Sequence, residues 1–460
     1  MSGIHDLPLD LASNVVASCV QYEFTPFERI PKLSEQSKKS IFAFRALSRP
    51  FCSESRESFA KIIEEKEFFF TRDSLEELAN VSKDPELQPW IRVLSLNGAR
   101  FKQWSDETKL AKRQNWMCSD ARFEHIRETT SPLRKELIKC QEDQQLFWDS
   151  GDLEKTLTEI FTRLPKLREI RLSPSAVHRH IPGWNGKEHA QALKLFERYW
   201  GRHWVEEEQL YETAQTLDNA PLLNIFFTAV VRAGVQLETL VIPFKEPQSV
   251  EDTPDLTYVR NGITDHELAN VSDDLARDAL QHVKKLQLTV LRENPQPLQP
   301  GIPSQLDRVV AAATRLEVLE IFFAGYNRFF GEIFDELVSL ASIDLPHLQD
   351  LRLASSGDKS FAPEALISLL RQHKGIRKLG LAGSLGTWIE LFQFLETELQ
   401  LEELRLIAGP TWPMSLGESQ EFHAAAERVR LVSDPQPGDA DYRNGTARHY
   451  TFAVFEGLDQ

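Results

Sequence analysis

Residues 345–353 read Leu345-Pro346-His347-Leu348-Gln349-Asp350-Leu351-Arg352-Leu353. The spacing Leu-x-x-Leu-x-Leu, set by Leu348, Leu351 and Leu353, follows neither the 3.6-residue period of a helix nor the strict alternation of a long strand. The pattern recurs along the chain. Its other copies are Ile91-Leu94-Leu96, Leu167-Ile170-Leu172, Leu237-Leu240-Ile242, Val283-Leu286-Leu288, Leu316-Leu319-Ile321, Ile376-Leu379-Leu381 and Leu401-Leu404-Leu406. The last four copies begin at 316, 348, 376 and 401, so they are separated by 32, 28 and 25 residues. The earlier ones lie further apart, at 76, 70 and 46 residues.

Between the copies run stretches with helical periodicity. Leu153, Leu157, Ile160, Phe161 and Leu164 form one apolar face. Phe330, Ile333, Phe334, Leu337 and Leu340 form another, as do Leu366, Leu369 and Leu370, and Trp388, Leu391, Phe392 and Leu395. A short strand with one apolar face therefore alternates with a helix bearing one apolar stripe, and neither can bury its apolar side alone. Stacking the units joins the strands into a parallel sheet and the helices into an outer layer. The expected class is α/β. The pattern resembles the leucine-rich-repeat family in an irregular form, which implies a curved solenoid with parallel strands inside and helices outside. A doubly wound α/β domain also alternates strand and helix, but its strands are buried on both faces and read as continuous apolar runs. Here the strands carry Glu169 and Arg171, Lys285 and Gln287, Asp350 and Arg352, Glu403 and Arg405. One face is polar, which favours the open repeat.

Composition sets outer limits. The 460 residues are too many for one ordinary core and suit several domains or an elongated array. The apolar fraction of 41% and charged fraction of 27% are those of a globular chain. A formal charge of -16 argues against general nucleic-acid binding and against docking on anionic membranes. No stretch is apolar for long enough to span a bilayer, and MSGIHDLPLD has neither a basic nor a continuous apolar segment of a secretory signal. Cys19, Cys52, Cys118 and Cys140 contain no C-x-x-C pair and read as free thiols, so the expected compartment is cytoplasmic or nuclear.

The N-terminal block is helical in pattern. Asp6 is placed to cap a helix starting near Pro8, with Leu7, Leu11, Val15, Val16 and Cys19 on its apolar side. Phe44, Leu47, Phe51, Phe59, Ile62 and Ile63 follow in a second helical region. Leu7-Pro8 with its helix, then Arg45-Ala46-Leu47-Ser48-Arg49 and Phe51, look like an F-box. The segment from Leu75 to Leu96 is similar to the join between F-box and repeats in many fungal F-box and leucine-rich-repeat-like proteins. The interval from Leu7 to Ser48 is wider than in that pattern, so Gln21 to Ser40 is expected to be an inserted loop. The resemblance implies a scaffold that joins a Skp-family adaptor, and through it a cullin complex, to a target protein for ubiquitination. Leu7, Pro8, Leu11, Val15, Leu47 and Phe51 would meet the adaptor as a small apolar interface. The same apolar pattern is also what an array needs to close its first end.

The side chains between the leucines form rows across the strands. One reads Arg171, Val241, Gln287, Glu320, Arg352, Gly380, Arg405; its neighbour reads Glu169, Thr239, Lys285, Val318, Asp350, Lys378, Glu403. Arg171, Lys285, Glu320, Phe322, Asp350, Arg352, Lys378 and Arg405 are the candidate contacts for an unknown target protein. Arg352 and Arg405 suit bidentate binding of carboxylate or phosphate, unless Asp350 or Glu320 already satisfies Arg352. Phe322, with Tyr326 and Phe329, could act as an aromatic anchor.

No catalytic motif is found. The chain has no P-loop, no Gly-x-Ser-x-Gly elbow and no His-Glu-x-x-His, and the glycines of LGLAGSLGT suit a repeat turn. His178, His180, His189 and His203 crowd one stretch with Glu188, but no two histidines share the i, i+4 spacing of a helical metal site. Neither a cofactor nor a metal is expected. The domains expected are a helical module at 1–72, repeats at 73–408 with an insertion around 173–234, and a C-terminal cap at 409–460 closed by the alternating HYTFAVF. The reading is a non-catalytic substrate receptor of a cullin-type ubiquitin ligase. The alternatives are a stand-alone repeat scaffold and an enzyme with a metal site in the histidine-rich insertion.

Overall fold

The structure is a computed structural model. It describes residues 9–23, 32–47, 49–98, 100–101, 139, 142–173, 211–212, 222–242, 263–264, 268–292, 305–325, 332–333, 335–355, 360–382, 384–385, 388–408, 431–433 and 448–454. The class is α/β with parallel strands and intervening helices, compatible with a solenoid. Two compact units emerge: Met1–Gln236 with Lys245–Arg260, and Leu237–Phe244 with Asn261–Gln460.

In the second unit the strands Thr239–Val241, Lys285–Arg292, Val318–Gly325, Asp350–Ser355, Lys378–Ala382 and Glu403–Ala408 pair in chain order, all parallel. The register lines up Leu240, Leu286, Leu319, Leu351, Leu379 and Leu404 in one row. Leu288, Ile321, Leu353, Leu381 and Leu406 make the next. Every leucine or isoleucine of these rows up to Leu404 is buried. Full burial of each such side chain stabilises by roughly 1.5–3 kcal/mol. The helices Asp273–Leu280, Gln305–Ala312, Asp335–Ala341, Pro363–Gln372 and Trp388–Glu398 bury the other half of the core, including Leu366, Leu369 and Leu370.

The Leu-x-x-Leu spacing has a backbone cause. Before the strands from Lys285 to Glu403 the two intervening amides point the same way. Gln349 N and Asp350 N both donate to the Glu317 carbonyl, at 2.9 and 3.0 Å. The chain bends there, so Leu348 and Leu351 fall on the same buried side although they are three residues apart. Only after Leu351 does strand alternation set in.

In the first unit, Glu67–Phe69, Val93–Asn97 and Glu169–Ser173 form a parallel ladder, with Leu94 opposite Ile170 and Leu96 opposite Leu172. The helix Asp152–Arg163 packs between Arg72–Ser82 and Leu222–Ala233, burying Leu153, Leu157, Ile160 and Phe161. At the N-terminus come helices Leu9–Ser18, Glu35–Leu47, Arg49–Glu54 and Arg56–Glu65.

Several elements differ from expectation. Part of the stretch from Gln21 to Ser40 is not loop. Tyr22–Glu23 pairs antiparallel with Lys32–Leu33, and a helix begins at Glu35. Leu33 is buried, and the Ser37 hydroxyl accepts from Gln21 N at 2.8 Å, which fastens the ribbon to the helix. The helix expected from Phe330 starts at Asp335 instead. Glu332–Ile333 joins Ser360–Phe361 and Ser384–Leu385 in a second, three-stranded parallel ladder. Pieces two residues long have no period, so the sequence could not reveal them. Within 173–234, Leu222–Ala233 is an ordinary repeat helix preceding the Leu237 triplet. Arg448–Val454 forms the last strand, antiparallel to Glu403–Ala408, and carries Leu431–Ser433 on its other side.

Candidate functional site

The face of the second unit's sheet opposite the leucines carries three rows. The first holds Thr239, Lys285, Val318, Asp350, Lys378 and Glu403. The second holds Val241, Gln287, Glu320, Arg352, Gly380 and Arg405. The third holds Thr289, Phe322, Ala354, Ala382 and Ile407. Six of the candidate target contacts, Lys285, Glu320, Phe322, Asp350, Arg352 and Lys378, therefore share one face, and Arg405 stands at the matching register position opposite Gly380. Arg171 lies in the first unit, opposite Ser95 in the ladder.

The charges on these strands are matched locally. Arg352 donates through Nε and Nη2 to the two oxygens of Asp350, at 3.0 and 2.6 Å. The bidentate carboxylate reserved for a partner is thus supplied by the same strand. Gly380 makes room for this arrangement, because a Cβ there would sit 3.1 Å from Arg352 Cγ. Lys378 Nζ lies 3.9 Å from Glu403, and Arg171 Nε 2.6 Å from Glu169. Glu320 and Asp350 are only 8% exposed, so these two acids are recessed. Phe322 is half-buried between Thr289 and Ala354, a ring beside small neighbours. On this face Phe322 and Ala354 are half-buried beside the Asp350–Arg352 pair, while Val241 and Thr289 are buried. Tyr326 and Phe329 lie outside the described residues.

A second surface is built by the N-terminal helices. Leu11 (47% exposed) and Val15 lie one turn apart on Leu9–Ser18 and both face outward. Phe42 (54% exposed) and Leu47 are also exposed on Glu35–Leu47, with exposed Ala46 one turn from Phe42 and exposed Ala43 one turn from Leu47. Phe51 is placed differently from Leu11, Val15 and Leu47. It is 1% exposed, packs on Val16 and stacks on Phe44 with ring centroids 5.5 Å apart, so it holds the helices together from within. Leu7 and Pro8 lie outside the described residues. Phe42 was not among the apolar positions named in the sequence, where Phe44, Leu47 and Phe51 were read instead. In the helix Glu35–Leu47, Ile41 is buried and Phe44 half-buried, while Phe42 is exposed.

The helix Arg56–Glu65 joins this surface to the first strands. Lys61 Nζ donates to the Tyr22 hydroxyl at 2.7 Å. The Glu64 carboxylate accepts from Arg92 N at 2.9 Å and Val93 N at 3.2 Å. Burial pushes its pKa above the ordinary glutamate value, against those two amides, which favour the ionised form. No sequence signal marked Glu64, since its partners are backbone groups 28 and 29 residues away.

His178, His180, His189 and His203 lie outside the described residues. Among the described residues no group of three or more His, Cys, Asp and Glu side chains is placed to hold a metal ion. Cys19 and Cys52 are free thiols. Among the described residues no helix is long and apolar enough to cross a membrane. No protein-family model matches the chain, and no curated protein matches it.

Proposed function

We propose that the chain is a non-catalytic receptor of leucine-rich-repeat type. Its N-terminal helices dock on a Skp-family adaptor of a cullin-type ubiquitin ligase, and its sheet face takes a target protein, in the cytoplasm or nucleus. The observation that supports this most is where exposed apolar bulk collects. Of eight exposed large apolar side chains among the described residues, five (Leu11, Val15, Tyr22, Phe42 and Leu47) belong to the first 47 residues. Outward apolar groups on packed helices are the raw material of an interface core.

The test is binding of the purified full chain to a purified Skp-family adaptor. The expected result is a complex that Leu11→Asp with Leu47→Asp weakens at least about tenfold, because each charge would be buried unpaired at the interface. An intact chain that binds no adaptor would remove the reading and leave the stand-alone repeat scaffold. That second reading draws on the Glu64 contact, which gives the same helices a role in closing the ladder.

A further inference from the structure

Inside the ladders one bonding device repeats. The carbonyl of the first residue between the two leading apolar positions accepts from two successive amides of the next strand. Arg92 O accepts from Arg168 N and Glu169 N at 2.9 and 3.1 Å. Glu238 O accepts from Lys284 N and Lys285 N at 2.8 and 3.1 Å, and Lys284 O from Glu317 N and Val318 N at 2.8 and 2.9 Å. Gln349 O serves Arg377 N and Lys378 N at 2.8 and 2.9 Å, and Arg377 O serves Glu402 N and Glu403 N at 2.7 and 3.2 Å.

The corresponding amides of the first triplet are Arg92 N and Val93 N. The preceding strand, Glu67–Phe69, pairs with Ser95–Asn97 and stops short of them. Glu64 Oε1 accepts both, at 2.9 and 3.2 Å, within the distances the carbonyls show. Ser95 Oγ also donates to the Glu64 carbonyl at 3.0 Å. The next residue, Glu65, faces the other way. Its Oε1 accepts from Leu33 N at 2.5 Å, and its Oε2 lies 3.3 Å from Lys38 Nζ. Two adjacent carboxylates at one helix end thus bind the ladder on one side and the N-terminal ribbon and helix on the other.

We propose that Glu64 stands in for the carbonyl of a missing repeat. Through Glu64 and Glu65 the N-terminal helices close the first end of the ladder and hold their exposed apolar face in one fixed orientation to the first strands. An uncapped ladder end leaves amides open to pairing with another chain, and terminal units of repeat arrays must hide that end. Glu64 is a positioning residue in this scheme. The proposal is independent of whether an adaptor binds.

The test is hydrogen exchange of the full chain, resolved at Arg92 and Val93, with Glu317 and Val318 as interior controls. In the unaltered protein the two pairs should be protected to a similar degree. Glu64→Gln keeps an acceptor oxygen at Oε1 and removes a partly buried charge, so protection should stay within about twofold of wild type. Glu64→Leu keeps the bulk and removes the acceptor. It should cost about tenfold in protection at Arg92 and Val93, the factor worth one hydrogen bond, and leave the controls unchanged. The proposal is overturned if Glu64→Leu leaves both amides protected, or if Glu64→Gln loses as much as Glu64→Leu. Should the leucine variant fail to fold, Arg92 and Val93 exchanging like free amides in the unaltered protein would overturn it equally.

Discussion

Lys378 and Leu379 are consecutive residues on one strand and lie on opposite faces of it. Leu379 is 1% exposed, in the row between Leu351 and Leu404. The Lys378 side chain is 48% exposed and only 3.9 Å from Glu403 at its nearest approach. Leu379→Ala removes three carbons from a filled site. At about 0.8 kcal/mol per buried methylene the transfer cost is about 2.4 kcal/mol. The cavity left between two leucine rows brings the total to about 3–4 kcal/mol. Lys378→Ala removes an exposed ion pair at the outer limit of contact and should change stability by less than about 0.5 kcal/mol. Urea unfolding followed by far-UV circular dichroism measures both. With a slope of about 3 kcal/mol per molar, Leu379→Ala lowers the midpoint by about 1 M and Lys378→Ala by less than about 0.2 M. Equal costs, or a larger loss from Lys378→Ala, would refute the register, because a one-residue slip exchanges the two faces of every strand.

His373 is buried, and its Nε2 has no hydrogen-bond partner among the described residues. Burial holds its pKa below the ordinary 6.5, against the Leu340 carbonyl and Asp344, which favour the charged ring. The unfolded chain then takes up the proton at higher pH than the folded one. The histidine's stabilising share is complete above 6.5 and is lost as pH falls through the lowered value. Thermal midpoints of the unaltered chain should therefore drop faster below pH 6.5 than those of His373→Gln, and parallel profiles would show another group to be responsible. Gly98 is buried against the helix Leu222–Ala233, and a Cβ there would lie 2.6 Å from Leu222 Cδ2. Gly98→Val should cost about 1–3 kcal/mol by overpacking. Adding Leu222→Ala should recover part of that loss in a thermal melt, and strictly additive losses would count against the contact.

The strand segments and several of the helices were legible from spacing alone. Leu286, Leu319, Leu351, Leu379 and Leu404 were named as equivalent positions, and the ladder sets them side by side. This works because an apolar triplet that must be buried on one side fixes both the strand's face and its register. The helix stripes at Leu153–Leu164 and Leu366–Leu370 were readable for the same reason, since a period of 3.6 leaves its mark in one chain. The rows on the polar face could be listed too, because alternation carries them along with the leucines.

What the sequence could not decide is which polar groups are already satisfied. For Arg352 the sequence left open a partner's carboxylate, Asp350 or Glu320, and it is Asp350 two residues earlier that holds it. Phe51 looked like part of an adaptor surface, yet it is the inner ring of a stack. Glu64 gave no sign at all, and it completes the backbone bonding of a strand that begins 29 residues later. Burial periodicity is written in one chain's spacing. The pairing of a carboxylate with distant amides depends on where the packed helices carry it, and that position exists only once the tertiary structure has formed.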